Sequence, residues 1–157
     1  MKAIINPKSI LVLTLLVLLG ACKDSNKSSS VPSSSVYIYQ NINLYSMPLR
    51  AIGGYKTYTA VNTNEGVNAV GYGGVLIFYG YDENYYAFDM SCPHEASRTI
   101  RVMPNDQGQA VCSTCGSVFN IGYGSGNVVS GPATEGLRRF KVTIYPTTEG
   151  TIISIIN

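Results

Sequence analysis

One histidine, few charges and no apolar run at helical spacing are the first features of this 157-residue sequence. His94 is the only histidine and sits one residue beyond Cys92-Pro93, so no serine-histidine-acid set can be built without it. No Gly-rich fingerprint follows a strand and opens a helix, despite 16 glycines, which removes the common nucleotide-binding pattern. Once Lys2 and Lys8 leave with residues 1–21, nine basic residues face nine acidic ones, and there is no basic field for nucleic acid. Arg138, Arg139 and Lys141 read as a solvated strand face. Asp82, Glu83 and Glu95 read as solvated turn charges. Apolar residues nowhere recur at helical spacing over about ten positions, leaving room only for a short helical turn around Pro93 to Ser97.

What is present begins with an export segment. Lys2 and Lys8 form a basic start, Ile10 to Leu19 is apolar apart from Thr14, and Gly20-Ala21 leads into Cys22. Such a run is too short to span a bilayer as a helix. Leu19-Gly20-Ala21-Cys22 resembles the lipobox of bacterial lipoproteins, which implies cleavage before Cys22 and acylation of that residue, with several chains supplying a firm anchor. The expected divisions are a signal peptide at 1–21, a lipidated Cys22 with a Ser-rich tether at 22–35, and one domain at 36–157. The tether has almost nothing to bury.

From Val36 the pattern becomes period-2, and the Gly, Tyr, Val, Ile and Thr content fits an all-β domain of small antiparallel sheets with many turns. Leu44 and Met47 are expected to cover the core from a loop at Asn43 to Pro48. Val75 to Tyr79 is too continuously apolar to be wet on one side and reads as an internal strand, paired in a hairpin with Tyr85 to Met90. Ser97 to Met103 alternates, Pro104 to Gly108 turns, and Gln109 to Val111 enters a second loop. Leu137 to Ile144 and Thr151 to Ile156 suggest closing strands, joined by a turn at Pro146 to Gly150. The 12 tyrosines suit partly buried sheets, and their scatter defines no single binding face.

The chemistry concentrates between Ser91 and Asn120. Cys92-Pro93-His94 is followed, after 17 intervening residues, by Cys112-Ser113-Thr114-Cys115. Two short tips, one Cys/His and one Cys/Cys, can converge on a thiophilic metal if a sheet brings them together. Cysteine number points the same way. With Cys22 acylated, three thiols remain in an oxidising exported compartment, so one disulfide leaves a thiol over, whereas a metal held with His94 uses all three.

The two tips, with Gly116-Ser117-Val118-Phe119 after the second, resemble the cluster-binding loops of the Rieske iron-sulfur family, including its ferredoxin-like members. Gly131-Pro132-Ala133 and Leu137 to Val142 look like that domain's proline loop and closing strand, and the likeness covers roughly residues 36–156. The resemblance implies a [2Fe-2S] cluster in which Cys92 and Cys112 take the cysteine positions and His94 the first histidine position. Cys115 stands where the pattern calls for histidine. A thiolate there adds negative charge and lowers the reduction potential. Gly116 and Ser117 are expected to offer donors to sulfur, and Pro132 to cover the cluster.

No arginine precedes Arg50, so the twin-arginine signal of folded cargo is missing and metal would be acquired outside the cytoplasm. Zinc on the same ligands is the rival cofactor. The expected function is a membrane-anchored one-electron transfer protein with an atypical [2Fe-2S] cluster on three Cys and one His. It would be lipid-anchored in the bacterial cell envelope, leaflet unspecified, and serve an unknown redox protein. The alternative is a structural or interaction module with a zinc, disulfide or empty site at the same position.

Overall fold

The computed structural model describes residues 29–157. The expected signal peptide and the lipidation of Cys22 lie outside the described residues. Among the described residues, eleven strands form two antiparallel sheets, with two short 3₁₀ turns and one four-residue helix between them. Strands are β1 Val36–Asn41, β2 Tyr55–Tyr58, β3 Val67–Val70, β4 Val75–Tyr79, β5 Tyr85–Asp89, β6 Val102–Pro104, β7 Gln109–Cys112, β8 Val118–Asn120, β9 Val128–Ser130, β10 Arg139–Thr147 and β11 Gly150–Ile156. The larger sheet runs β2-β4-β5-β10-β11-β1-β3 and the smaller β6-β7-β8-β9. The expected all-β architecture of small antiparallel sheets is what the chain adopts.

Alternation explains which sheet each residue feeds. On β4, Val75 and Ile77 enter a core with Ile38, Val67, Ile153 and Ile155, so the seven-stranded sheet curls round it. Leu76 and Phe78 face the other way, into a second core with Phe88, Met90, Phe119 and Ile121 beneath the small sheet. Burial on both faces is why β4 shows no polar alternation. The hairpin to β5 pairs Tyr79 with Tyr85 and Val75 with Asp89. Pro146 lies inside β10 rather than in a turn, opposite Thr151. It is tolerated because β10 pairs with β5 only at Arg139 and Phe140, which leaves the outer edge at Pro146 without a ladder partner.

Three local expectations are corrected. Leu44 and Met47 do not cover the core: they are 66% and 58% exposed, and Ile42 and Leu49 are buried instead. A four-residue helix α1, Ile42–Tyr45, turns Ile42 inward, with the Asn41 side chain accepting the Asn43 amide at 2.9 Å. Four residues are too few to display a helical period. Residues 97–101 are irregular, and regular pairing starts only at Val102.

The third correction concerns the tether. Its last residues are docked, with Val31 fully buried and its carbonyl accepting from the Arg138 guanidinium. The Ser35 carbonyl accepts the Gly71 amide at 2.9 Å, and the Ser34 carbonyl accepts from the Asn157 side chain at 2.9 Å. A Ser-rich composition says little about backbone groups, and it is chiefly backbone that docks here.

Candidate metal centre

The first tip grows from the end of β5. Asp89 is buried, and its carboxylate accepts the amides of Tyr72 at 2.9 Å, Gly73 at 3.0 Å and Ser91 at 2.8 Å. One carboxylate therefore ties the loop before β4 to the residue preceding Cys92. The Cys92 carbonyl then accepts from the Glu95 and Ala96 amides at 3.2 and 2.9 Å, closing a turn at the position where a short helical turn was expected. Backbone bonds from Cys92 to Ile100 and from Val102 to Met90 carry the chain into the small sheet.

The second tip is the connection between β7 and β8. The Cys112 amide donates to the Ser117 carbonyl and the Gly116 amide to the Cys112 carbonyl, each at 2.9 Å, so residues 113–116 fold into a tight turn. A third loop, between β9 and β10, lies against it: the Ala133 amide donates to Ser117 Oγ at 3.0 Å. Pro132 is exposed. The contacts of this loop with the second tip are made by its neighbours Gly131 and Ala133.

These elements bring the sulfurs of Cys92, Cys112 and Cys115 within 4.8 Å of one another. Cys92 and Cys115 are separated by 3.6 Å between sulfurs. Cys92 and Cys112 are fully buried and Cys115 is half-buried, so the group opens to solvent on the Cys115 side. Burial pushes the Cys92 thiol up to about 12, against the opposing pull of the Glu95 and His94 amides. Cys115 is shifted the other way. Its slight burial acts upward, but the Ser117 hydroxyl and amide, with the neighbouring thiols, hold it below the usual thiol value. The site thus contains one thiol prepared to ionise and one that ionises only when a cation compensates it.

His94 does not join the group. It is exposed on the first tip, and the cluster of ligand atoms contains three cysteines alone. Within the turn closed by the Cys92 carbonyl, Cys92 is buried and His94 is exposed. The expected ligand set of three Cys and one His is corrected to three Cys. With it falls the expectation of a membrane-anchored one-electron carrier built on that set. Among the described residues no helix is long and apolar enough to cross a membrane.

Zinc and a [2Fe-2S] cluster make different demands on these donors. A [2Fe-2S] cluster requires ligands divided into two pairs, one on each iron. Three sulfurs mutually within 4.8 Å are not so divided. Tetrahedral Zn–S bonds of about 2.3 Å put sulfurs about 3.8 Å apart, close to the spacing of Cys92 and Cys115. The three thiols present fit a thiophilic metal, and a [2Fe-2S] cluster would need a fourth ligand from outside this group.

Two contributors were not legible in sequence. Asp89 had one weak signal, an acid at the end of an apolar strand. Ser30 had none. Its hydroxyl donates to the Pro93 carbonyl at 2.6 Å and its amide to the Glu135 carboxylate at 3.0 and 3.2 Å.

The family described as the Rieske [2Fe-2S] domain matches residues 55–145, more than half of the chain and inclusive of both tips and the third loop. A comparison with curated proteins gave no match.

Proposed function

Because the chain belongs to the Rieske [2Fe-2S] domain family, we propose that it uses that family's frame for a different end: a structural or interaction module in which Cys92, Cys112 and Cys115 hold a single thiophilic ion, zinc in the first instance. The observation that supports this reading is the sulfur group itself, three thiols within 4.8 Å with His94 outside it. When bound, the ion would supply charge compensation for the buried thiolates and a cross-link between the two tips. The protein's own residues do the rest. Ser117 favours the ionised form of Cys115, the burial of Cys92 and Cys112 excludes water, and Asp89 fixes the backbone that carries Cys92. Three protein donors leave one of four tetrahedral positions to a ligand from outside this group, water or a donor from a partner.

In the same reading the module is carried on acylated Cys22 in a bacterial cell envelope, with residues 1–21 removed. Support for this is the tetrapeptide Leu19-Gly20-Ala21-Cys22 after an apolar run.

Metal analysis of the purified full-length protein, combined with visible spectroscopy under anaerobic conditions, tests the metal assignment. The expected result is one zinc per chain and no visible absorption. Two irons and two sulfides per chain with a visible charge-transfer spectrum would overturn it.

A further inference from the structure

The docked segment before β1 fixes which end of the domain its upstream chain leaves from. Ser30 sits at the sulfur-bearing end, where its hydroxyl meets the Pro93 carbonyl and its amide the Glu135 carboxylate. Val31 is buried beside Arg138, and the segment then runs past Asn157 and Gly71 to β1. Both partners of Ser30 belong to the site's own loops: Pro93 follows Cys92, and Glu135 follows Ala133, which is bonded to Ser117.

We propose that residues 30–35 form a strap that turns the sulfur-bearing end of the domain toward the lipid headgroups, making that end the face presented to the membrane surface. This rests on the lipidation of Cys22 proposed above. The reach of the chain sets the orientation. From Cys22 to Ser30 there are eight residue steps, which span at most about 29 Å in any conformation. An undocked segment would leave 14 steps to Val36, or at most about 50 Å, longer than the roughly 36 Å diameter of a domain this size and free to let either end face the membrane. Docking both shortens the leash and moves its origin to the sulfurs. The opposite end is the β10–β11 turn. The Asn41 side chain donates to the Glu149 carbonyl there, at the far end of β1, about 17 Å of strand away from Val36.

The surface turned this way is compatible with headgroups. Its exposed side chains around the sulfurs are His94, Ser113, Thr114, Pro132 and Thr134; the acids beside them are Glu95, half-exposed on the first tip next to exposed Arg98, and Glu135, whose carboxylate accepts the Ser30 amide. Two acids against Arg98 and Arg138 leave this end without a strong charge of one sign, which suits a zwitterionic headgroup surface.

The chain contains no tryptophan, so single tryptophans report position without background. The acylated full-length protein is reconstituted into phosphatidylcholine vesicles carrying a dansyl-headgroup acceptor, with tryptophan at the sulfur end (Thr114→Trp, and separately Thr134→Trp) or at the far turn (Thr148→Trp). Energy transfer is expected to be stronger from both sulfur-end positions than from the far turn. The difference should shrink when Val31→Asp unseats the strap. Equal or reversed transfer in vesicle-bound protein overturns the orientation while leaving lipidation standing. Failure of the acylatable protein to sediment with vesicles, or sedimentation unchanged by Cys22→Ala, overturns the lipid reading and the orientation together.

Discussion

Ser117 Oγ lies 3.1 Å from the Cys115 sulfur, and the same oxygen accepts the Ala133 amide at 3.0 Å. Because the amide occupies a lone pair, the hydroxyl proton is left to donate to sulfur once Cys115 ionises. A fully buried side chain thus couples the third loop to the most accessible thiol of the group. The depressed pKa of Cys115 is a product of this contact.

Ser117→Ala should therefore move the midpoint of Cys115 alkylation to higher pH. Metal affinity should fall by about tenfold, the usual size of a lost hydrogen bond behind a ligand. Leaving the Ala133 amide unpaired should also cost about 1–3 kcal/mol of stability. Alkylation rates across pH, read by mass spectrometry, check the first effect. An unchanged midpoint would show that Ser117 is only a packing residue.

Serine substitution at Cys92, Cys112 or Cys115 should each abolish stoichiometric zinc, whereas His94→Ala should retain it. Competition with a chromophoric chelator measures both. Zinc loss in the histidine variant would restore His94 as a ligand and sink the three-thiol assignment. With metal at about 100 times its dissociation constant, the wild type should gain about 2.7 kcal/mol of unfolding free energy, a gain missing from the cysteine variants.

Asp89→Asn should be destabilising, by roughly 1–3 kcal/mol, because the amide oxygen can still accept from Gly73 and Ser91 but the amide NH2 then faces the Tyr72 N–H, leaving that donor unpaired. Loosening at residue 89 should reach Cys92 through Ser91 and lower zinc occupancy as well. Chemical denaturation with parallel metal analysis tests the pair of effects. A variant as stable as wild type would contradict the assigned role.

Gly131 and Gly116 both have positive φ but should respond differently to alanine. A Cβ on Gly131 would lie 2.5 Å from the Ser117 Cα and 2.9 Å from its amide nitrogen, backbone atoms that cannot yield without disturbing the second tip. A Cβ on Gly116 meets nothing within 4 Å. Gly116→Ala should cost about 1–2 kcal/mol of conformational strain and keep the metal, while Gly131→Ala should lose it. Equal metal affinity in the two variants would be inconsistent with the third loop supporting the site.

Tyr58 is buried in the larger core, where its hydroxyl is 2.8 Å from the Gln40 side chain and 3.0 Å from Ser46 Oγ. Burial raises its pKa above 10.0, opposed by the Ser46 hydrogen bond and assisted by the Glu65 charge. A raised folded value means that the folded state holds the proton more tightly. The corresponding stability is complete below pH 10.0 and declines as pH rises from there through the folded value. Denaturant titrations on either side of pH 10.0 should show this decline in wild type and a smaller one in Tyr58→Phe. Identical slopes would remove Tyr58 from the account.

Local pattern alone determined much of this molecule. The unbroken apolar run of Val75 to Tyr79 identified a strand buried on both faces, because no polar residue interrupts either side of its alternation. Cys92, Cys112 and Cys115 stood out as a group because their spacing matches two turns, and turns are short-range objects. Tertiary structure alone decided which side chains meet. Cys92 and His94 are two residues apart, yet within the turn closed by the Cys92 carbonyl one is buried and the other exposed, and no spacing rule distinguishes them. The strap was hidden for a related reason. Ser30 to Ser35 dock largely through backbone donors and acceptors, which every sequence possesses, to partners more than 35 positions away. What side-chain chemistry encodes was readable in order along the chain. What depends on long-range backbone pairing appeared only when the two sheets closed around their cores.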